Sequence, residues 1–195
     1  MKFIRNLLAT LLVSLLVFNT MAATLDIHGV KVEDSASVAG SSLQLNGVGT
    51  RYKMVFKVYV AGLYLAQKAS TPDEVVNQAG PKRMSVTMVR DIDAAELGKL
   101  LTRGIEDNTG KAAMSKLVPG LVRMGEMFAA QKKMVAGDNF LIDWIPGKGT
   151  LITVKGVAQG EPFKEPEFFA ALMSIWLGPS PADYKLKEAL LGAGK

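Results

Sequence analysis

Residues 45–65 read LNGVGTRYKMVFKVYVAGLYL, and they carry the clearest structural signal in the chain. Within them, the glycines of residues 46–49 indicate a turn with a flexible backbone. The run at residues 54–65 is rich in β-branched and aromatic side chains, which favour strands. Alternate residues of this run fall on two faces, and both faces are apolar. Such a strand is typical of the middle of a sheet that is covered on both sides.

The rest of the chain predicts strands, helices and turns around this central strand. Thr71 begins a capping box with proline at the first helical position, and Asp93 begins a second helix in a similar way. Strands are predicted at residues 25–27, 30–32, 82–89, 139–145 and 150–154. Helices are predicted over residues 111–133, with a break or kink near Pro119, and over 166–177 and 181–191. Runs of strands followed by helices predict an α+β fold with a largely antiparallel sheet.

The composition excludes several function classes. The chain has 195 residues, of which 49% are hydrophobic and 21% charged, and these values are typical of a globular protein. It contains no cysteine and a single histidine, His28, which excludes disulfides, thiol nucleophiles and metal sites built from cysteine or from several histidines. We therefore expect no cofactor and no metal. The net charge is +5, or +3 without Lys2 and Arg5 of the removable N-terminal stretch, and this is too small to indicate a nucleic-acid partner.

Residues 1–23 have the pattern of a secretory signal peptide. Two basic residues precede an apolar run at residues 7–18, and small residues follow it, so we expect cleavage near Ala22 or Ala23. The run is shorter than the roughly 20 residues that span a bilayer. Residues 24–195 then form one domain, predicted to be periplasmic or secreted and to have no membrane span after signal removal. The alternative is an uncleaved membrane anchor.

Two blocks of sequence resemble the chalcone-isomerase-like family, in particular its exported bacterial branch. The first block is LNGVGTR at residues 45–51 with FKVYVAGLYL at 56–65. The second is FFAALMSIWLG at residues 168–178 with LKEALLG at 186–192. The resemblance extends over about residues 30–192. It implies an open-faced β-sandwich, in which a large antiparallel sheet packs against a layer of helices with a ligand cleft between them.

The resemblance also implies which positions correspond to the catalytic residues of the family's plant isomerases, which cyclise a chalcone by adding a phenolate to an enone. The family's arginine matches Arg51, and its helix asparagine matches Asn108. The other positions differ from the family, with Leu101 for the tyrosine, Tyr59 for a strand threonine and Ile175 for a late threonine or serine. A donor such as the missing tyrosine hydroxyl is worth about 2–4 kcal/mol in a transition state. We therefore expect chalcone cyclisation to be weak or absent.

Other members of the family bind fatty acids without catalysis, and there an arginine and a tyrosine on this strand pair hold the carboxylate. Arg51 and Tyr59 resemble that arrangement. A guanidinium binds a carboxylate through two parallel hydrogen bonds, and a phenol adds a third hydrogen bond. We expect an apolar cleft lined by leucine, methionine and phenylalanine to take the tail. The predicted ligand-binding residues are Arg51, Tyr59 and Asn108.

The sequence leaves three functions open. The first is a non-catalytic binder of a small amphiphile, such as a fatty acid or another aromatic or acyl carboxylate, with Arg51 as the anchor. The second is an isomerase, formally an intramolecular lyase, in which Arg51 stabilises the electrophile and Asn108 orients the substrate. The third is an envelope interaction or assembly factor with an unknown protein partner, whose cleft is filled by side chains. An open apolar cleft at Arg51 would favour the first, and an exposed apolar patch elsewhere would favour the third.

Each candidate residue also has a purely structural interpretation. Arg51 could pair with an acid such as Asp91, and Tyr59 could be an ordinary aromatic residue of the sheet. Asn108 lies at a predicted helix end, where asparagine is common. Ser174 is adjacent to the last of the family's positions and is an alternative cleft residue.

Overall fold

The fold is built around the strand pair formed by residues 41–65. In the structure, a computed structural model that describes residues 24–193, β4 (Ser41–Lys53) and β5 (Phe56–Leu65) pair antiparallel. The predicted central strand is confirmed, but it begins at Phe56, because Met54 and the residue after it form the hairpin turn. The predicted signal peptide at residues 1–23 lies outside the described residues.

Residues 46–49 do not form the predicted turn. β4 runs through them, and a register shift just before Gly47 marks a β-bulge. The glycine is needed for packing instead, because a Cβ on Gly47 would collide with the backbone carbonyl oxygens of Ala189 and Leu190. Its missing side chain lets helix α5 (Tyr184–Leu190) lie directly on the strand.

One antiparallel sheet contains most of the strands. The strands that join β4 and β5 in it are β3 (Ser35–Val38), β6 (Lys82–Met88), β9 (Asn139–Ile145), β10 (Gly149–Val154) and β11 (Val157–Ala158). Their order across the sheet is β11-β10-β9-β6-β5-β4-β3, and each neighbouring pair is antiparallel. A short ribbon, β7 (Ile92–Asp93) with β8 (Lys133–Met134), stands apart from this sheet. The predicted α+β architecture is confirmed.

Helices pack against one face of the sheet and form the main core with it. In addition to α5, they are α1 (Pro72–Asn77), α2 (Ala94–Glu106), α3 (Lys111–Ala129) and α4 (Pro166–Leu177). The capping box at Thr71 and the cap at Asp93 are present as predicted. The break expected near Pro119 is absent, because buried residues on both sides of it hold α3 in the core as one helix. No helix within residues 24–193 is long and apolar enough to cross a membrane.

The opposite face of the sheet is partly covered by an N-terminal hairpin. Its strands are β1 (Thr24–Ile27) and β2 (Val30–Glu33), close to the bounds predicted. Val32 packs in a second apolar cluster that includes Tyr64 of β5, and the Tyr64 hydroxyl donates to the carbonyl oxygen of Glu33 at 3.0 Å. The central strand is therefore covered on both faces, as its sequence predicts.

We predict that Gly47→Ala lowers the free energy of unfolding by about 1–3 kcal/mol, because the added methyl group forces α5 away from β4. Gly125→Ala is the matched control. Gly125 lies within α3 with open space at its Cβ position, so alanine there is expected to stabilise by about 0.5–1 kcal/mol. Urea denaturation measures both changes, and a Gly47→Ala variant as stable as the wild type would contradict the close packing of α5.

Candidate ligand-binding site

A cleft of about 280 Å³ lies between the β4–β5 strand pair and helix α2. Its walls are mostly apolar, and the apolar lining includes Val58, Ile92, Leu97, Leu100, Leu101 and Ile175. The loop at residues 180–182 closes one side, and charged side chains, among them Arg51, complete the lining. An apolar cavity with a few polar groups is the usual form of a small-molecule site.

The strand register places Arg51 and Tyr59 together at this cleft. The two residues are direct partners in the β4–β5 ladder, and both line the cavity. Directly opposed residues of an antiparallel pair share a face and have Cβ atoms roughly 4.5–5.5 Å apart. The two side chains that the resemblance assigns to a carboxylate therefore lie side by side at one apolar cavity.

Tyr59 is buried beneath the cleft and bonded to the helix layer. Its hydroxyl oxygen accepts a hydrogen bond from the indole nitrogen of Trp176, a completely buried residue of α4, at 2.9 Å. Burial raises the pKa of Tyr59 to about 12, although the hydrogen bond from Trp176 and the positive charge of Arg51 oppose the increase. The phenol is therefore neutral at physiological pH, and its O–H group remains a hydrogen-bond donor.

Arg51 lies half-buried beside the phenol. One of its terminal nitrogens donates to the backbone carbonyl of Tyr52. Among residues 24–193, no carboxylate lies within ion-pairing distance of its guanidinium. Asp91, the acid suggested above as its partner, pairs with Lys133 at 2.7 Å. A guanidinium has five N–H donors, so Arg51 is equipped to bind an anion that enters the cleft.

Asp183 fixes the end of β4 against α5. Its carboxylate accepts hydrogen bonds from the backbone N–H groups of Lys185 and Leu186 in the first turn of α5, and from that of Tyr52 at 3.0 Å. This cap explains why α5 begins at Tyr184 and not at the earlier position predicted from the sequence. Asp183 therefore positions the strand, and its negative charge helps to raise the pKa of Tyr59.

Asn108 lies next to the cleft but does not line it. Its Nδ2 donates to the carbonyl oxygens of Gly104 and Ser180 at 2.8 and 2.9 Å, and its Oδ1 accepts from the N–H of Ser180 at 2.8 Å. These bonds hold the loop at residues 180–182 against the end of α2. The structure thus gives Asn108 a positioning role, while its amide is already satisfied by the backbone.

The two remaining positions implied by the resemblance carry apolar side chains. Leu101 and Ile175 both line the cleft. Ser174 does not, since its hydroxyl donates to the carbonyl oxygen of Ala171 at 2.6 Å. The expected methionine and phenylalanine lining was wrong, because the buried methionines and phenylalanines pack within the main core and β-branched residues and leucines line the cleft.

Comparisons with known proteins identify the family and the fold. A family model described as chalcone isomerase-like matches residues 23–192. The chain belongs to the chalcone isomerase-like family. Among solved structures, the crystal structure of a fatty-acid binding protein from Arabidopsis thaliana matches with a TM-score of 0.66 and 14% sequence identity, over 87% of this chain and 96% of that one. This likeness shows a shared fold. A comparison with curated protein sequences finds no match.

Some features of this chalcone isomerase-like cleft were not predicted from the sequence. Lys53 and Arg103 add positive charge to its lining, Asp107 adds a negative charge, and the loop at residues 180–182 closes one side. The sequence does contain a pattern for the apolar wall on α2, since Leu97 and Leu101 are four residues apart and share a helix face. It contains no pattern for the loop at residues 180–182, because the position of this loop depends on contacts between segments that are distant in the sequence.

We predict that Tyr59 makes the stability of this chalcone isomerase-like protein fall between pH 10 and pH 12. Folding raises the pKa of the phenol from 10.0 to about 12, so the unfolded chain loses this proton first as the pH rises. The contribution of the neutral phenol is complete below pH 10 and declines by about 1.4 kcal/mol per pH unit above it.

Urea denaturation at several pH values tests this prediction. The Tyr59→Phe variant lacks the ionisable group and serves as the reference for all other titrating residues. The wild type is expected to lose stability more steeply than the variant across this range. Equal slopes would contradict a buried, neutral phenol.

Proposed function

We propose that this protein is a non-catalytic binder of fatty acids or similar amphiphilic carboxylates. The carboxylate binds Arg51 and the hydroxyl of Tyr59, and the acyl chain lies along the apolar wall that α2 provides. The observation that carries the proposal is the direct pairing of these two residues across β4 and β5 at one apolar cleft. The shared fold with a fatty-acid binding protein supports it.

The chemistry of the two side chains suits a carboxylate. A guanidinium and a carboxylate form parallel hydrogen bonds between opposite charges, which are stronger than bonds between neutral groups. The phenol of Tyr59 adds a donor and no negative charge, since its pKa is about 12. An apolar lining lowers the local dielectric constant, which strengthens both interactions once the ligand excludes water.

The same geometry favours binding over isomerisation. A phenol with a pKa of about 12 is a poor general base at neutral pH. Leu101 and Ile175 cannot donate hydrogen bonds to a substrate, and the amide of Asn108 is used by the backbone. The third hypothesis, a cleft filled by side chains, is disfavoured by an open volume of about 280 Å³.

We also propose that the protein works outside the cytoplasm, on the signal-peptide pattern of residues 1–23. An exported binder would meet its ligand in the periplasm or the medium. Intact-mass measurement of the protein recovered from its host reports whether these residues have been removed.

We predict that Arg51→Ala weakens fatty-acid binding by about 10-fold to 150-fold, because a hydrogen bond to a charged group contributes about 1.5–3 kcal/mol. Arg51→Lys keeps the charge but cannot form the bidentate hydrogen bonds, so its affinity is expected to lie between those of the wild type and Arg51→Ala. Arg103→Gln is the matched control, since it removes another arginine from the lining of the same cleft.

Native mass spectrometry of the protein from its exporting host shows whether each variant carries a bound ligand. Extraction then identifies the molecules that co-purify. The wild type is expected to carry a carboxylate that Arg51→Ala has lost. A wild type that is empty and cannot be loaded with fatty acids would overturn the proposed function. A larger loss in Arg103→Gln than in Arg51→Ala would place the anchor at Arg103.

We predict that affinity rises with acyl chain length and then reaches a plateau. Each methylene group that the cleft buries contributes about 0.8 kcal/mol, or about fourfold in affinity. The plateau marks the length at which a cleft of about 280 Å³ is full. Isothermal titration calorimetry with a series of saturated fatty acids measures the rise in affinity per methylene group and the chain length at which it stops. An affinity independent of chain length would exclude an apolar site for the tail.

A further inference from the structure

The turn between β4 and β5 exposes large apolar side chains to solvent. Met54 is 89% exposed, Val55 81% and Phe56 57%. No other large apolar side chain within residues 24–193 is as exposed as Met54 or Val55. We call residues 53–57 the hairpin tip. Neighbouring apolar side chains with this exposure are typical of an interaction surface.

Folding alone does not explain the residues at the hairpin tip. Lys53 and Phe56 are paired, so Met54 and Val55 form a two-residue turn. Met54 has a φ of 58°, in the left-handed region that glycine and asparagine adopt most easily. Two-residue hairpin turns with a positive φ at the first position favour glycine or asparagine there. The chain instead places two exposed apolar residues there with a strained backbone, which points to a function for their side chains.

Positive charge surrounds these apolar side chains. Lys53 and Lys57 flank the turn in the two strands. The guanidinium of Arg90 stacks on the ring of Phe56, 5.3 Å from its centroid. The hairpin tip therefore combines apolar side chains at its end with lysine and arginine around its base.

The hairpin tip itself carries only positive charge. Residues 53–57 contain two lysines and no acid. Asp91, next to Arg90, pairs with Lys133. Asp183 lies at the base of the hairpin, where its carboxylate accepts a hydrogen bond from the backbone N–H of Tyr52, and not at the exposed end.

The hairpin tip adjoins the entrance of the ligand cleft. Lys53 lines the cleft and is the direct strand partner of Phe56, and Val58 lines it just beyond the tip. Leu100 of α2 is 41% exposed and lines the same cleft. A surface that met the hairpin tip would therefore lie next to the opening through which a ligand enters.

We propose that the hairpin tip docks the protein on an anionic lipid bilayer. Met54 and Val55 insert at the boundary of headgroups and acyl chains, and Lys57, Arg90 and Lys53 contact acidic headgroups. Charge complementarity identifies this partner, because apolar residues ringed by lysine and arginine are the combination that binds anionic membrane surfaces. The docking rests on the exposure and charge of the tip and does not depend on what occupies the cleft.

Binding to lipid vesicles tests this proposal. One set of vesicles contains phosphatidylcholine alone, and the other contains equal parts of phosphatidylcholine and phosphatidylglycerol. The protein is purified from cells that express the full chain, and intact-mass measurement ensures that every variant has the same N-terminus. We expect binding to the anionic vesicles, weaker binding to the neutral ones, and loss of affinity at high salt.

Met54→Asn/Val55→Gly is the decisive variant. It removes both apolar side chains. Asparagine adopts the positive φ of residue 54 more easily than methionine, and glycine accepts any φ at residue 55, so the hairpin is expected to stay folded. Binding to anionic vesicles should weaken about tenfold or more. Leu25→Ser/Val157→Ser removes two exposed apolar residues elsewhere and should bind like the wild type. Lys57→Gln/Arg90→Gln should weaken binding about twentyfold.

Three outcomes would overturn the docking proposal. The first is a wild type that does not bind anionic vesicles, and the second is a Met54→Asn/Val55→Gly variant that binds them as tightly as the wild type. The third is a wild-type dimer in solution that the substitutions dissociate, which would make a second copy of the chain the partner. Affinity for free fatty acid in the absence of vesicles is measured in parallel. Since Met54 and Val55 do not line the cleft, that affinity should be unchanged, which separates a failure of docking from a failure of the proposed function.

Discussion

The buried hydrogen bond from Trp176 to Tyr59 joins the helix layer to the sheet, and the form of the cleft depends on it. A buried indole N–H needs an acceptor, and Tyr59 supplies one on a face of β5 that is otherwise occupied by Ala61, Leu63 and Leu65. The bond holds α4 over β5 and so brings Ile175 to the cleft. It also fixes the phenol oxygen beside Arg51, where it can serve a ligand.

The two arginines of the sheet show why Arg51 is a candidate anchor. Arg83, on the face of the sheet opposite Arg51, forms a bidentate ion pair with buried Asp143, and both hydrogen bonds are 2.6 Å long. Arg51 has no such carboxylate partner within residues 24–193, although it is half-buried and faces an apolar cavity. A guanidinium without a paired carboxylate keeps N–H donors available for a ligand. A carboxylate ligand would give Arg51 the partner that Asp143 gives Arg83.

The sequence predicted features that depend on near neighbours and missed those that depend on distant ones. The capping box at Thr71 and the alternation in β5 are local patterns, and both were confirmed. Residues 46–49 were predicted as a turn because glycine favours turns, whereas the contact of Gly47 with α5 decides their conformation. The resemblance pointed to Arg51 and Tyr59, which the structure places side by side at the cleft, and their role in binding stays a prediction. The loop that Asn108 holds over the cleft, and the hydrogen bond between Tyr59 and Trp176, join segments far apart in sequence and could not be predicted.

The apolar residues at Leu101 and Ile175 bear on which ligands the cleft accepts. A hydroxyl group at either position would need a hydrogen-bond partner, and leaving one unpaired against an acyl chain costs about 1–3 kcal/mol. A polyphenol or an enone could supply such a partner, but an alkyl chain cannot. Leucine and isoleucine avoid this cost when an alkyl chain binds, and they offer no hydrogen-bond partner to the polar groups of a polyphenol. Under the proposed function, the apolar side chains at positions 101 and 175 therefore suit an acyl chain better than a polyphenol.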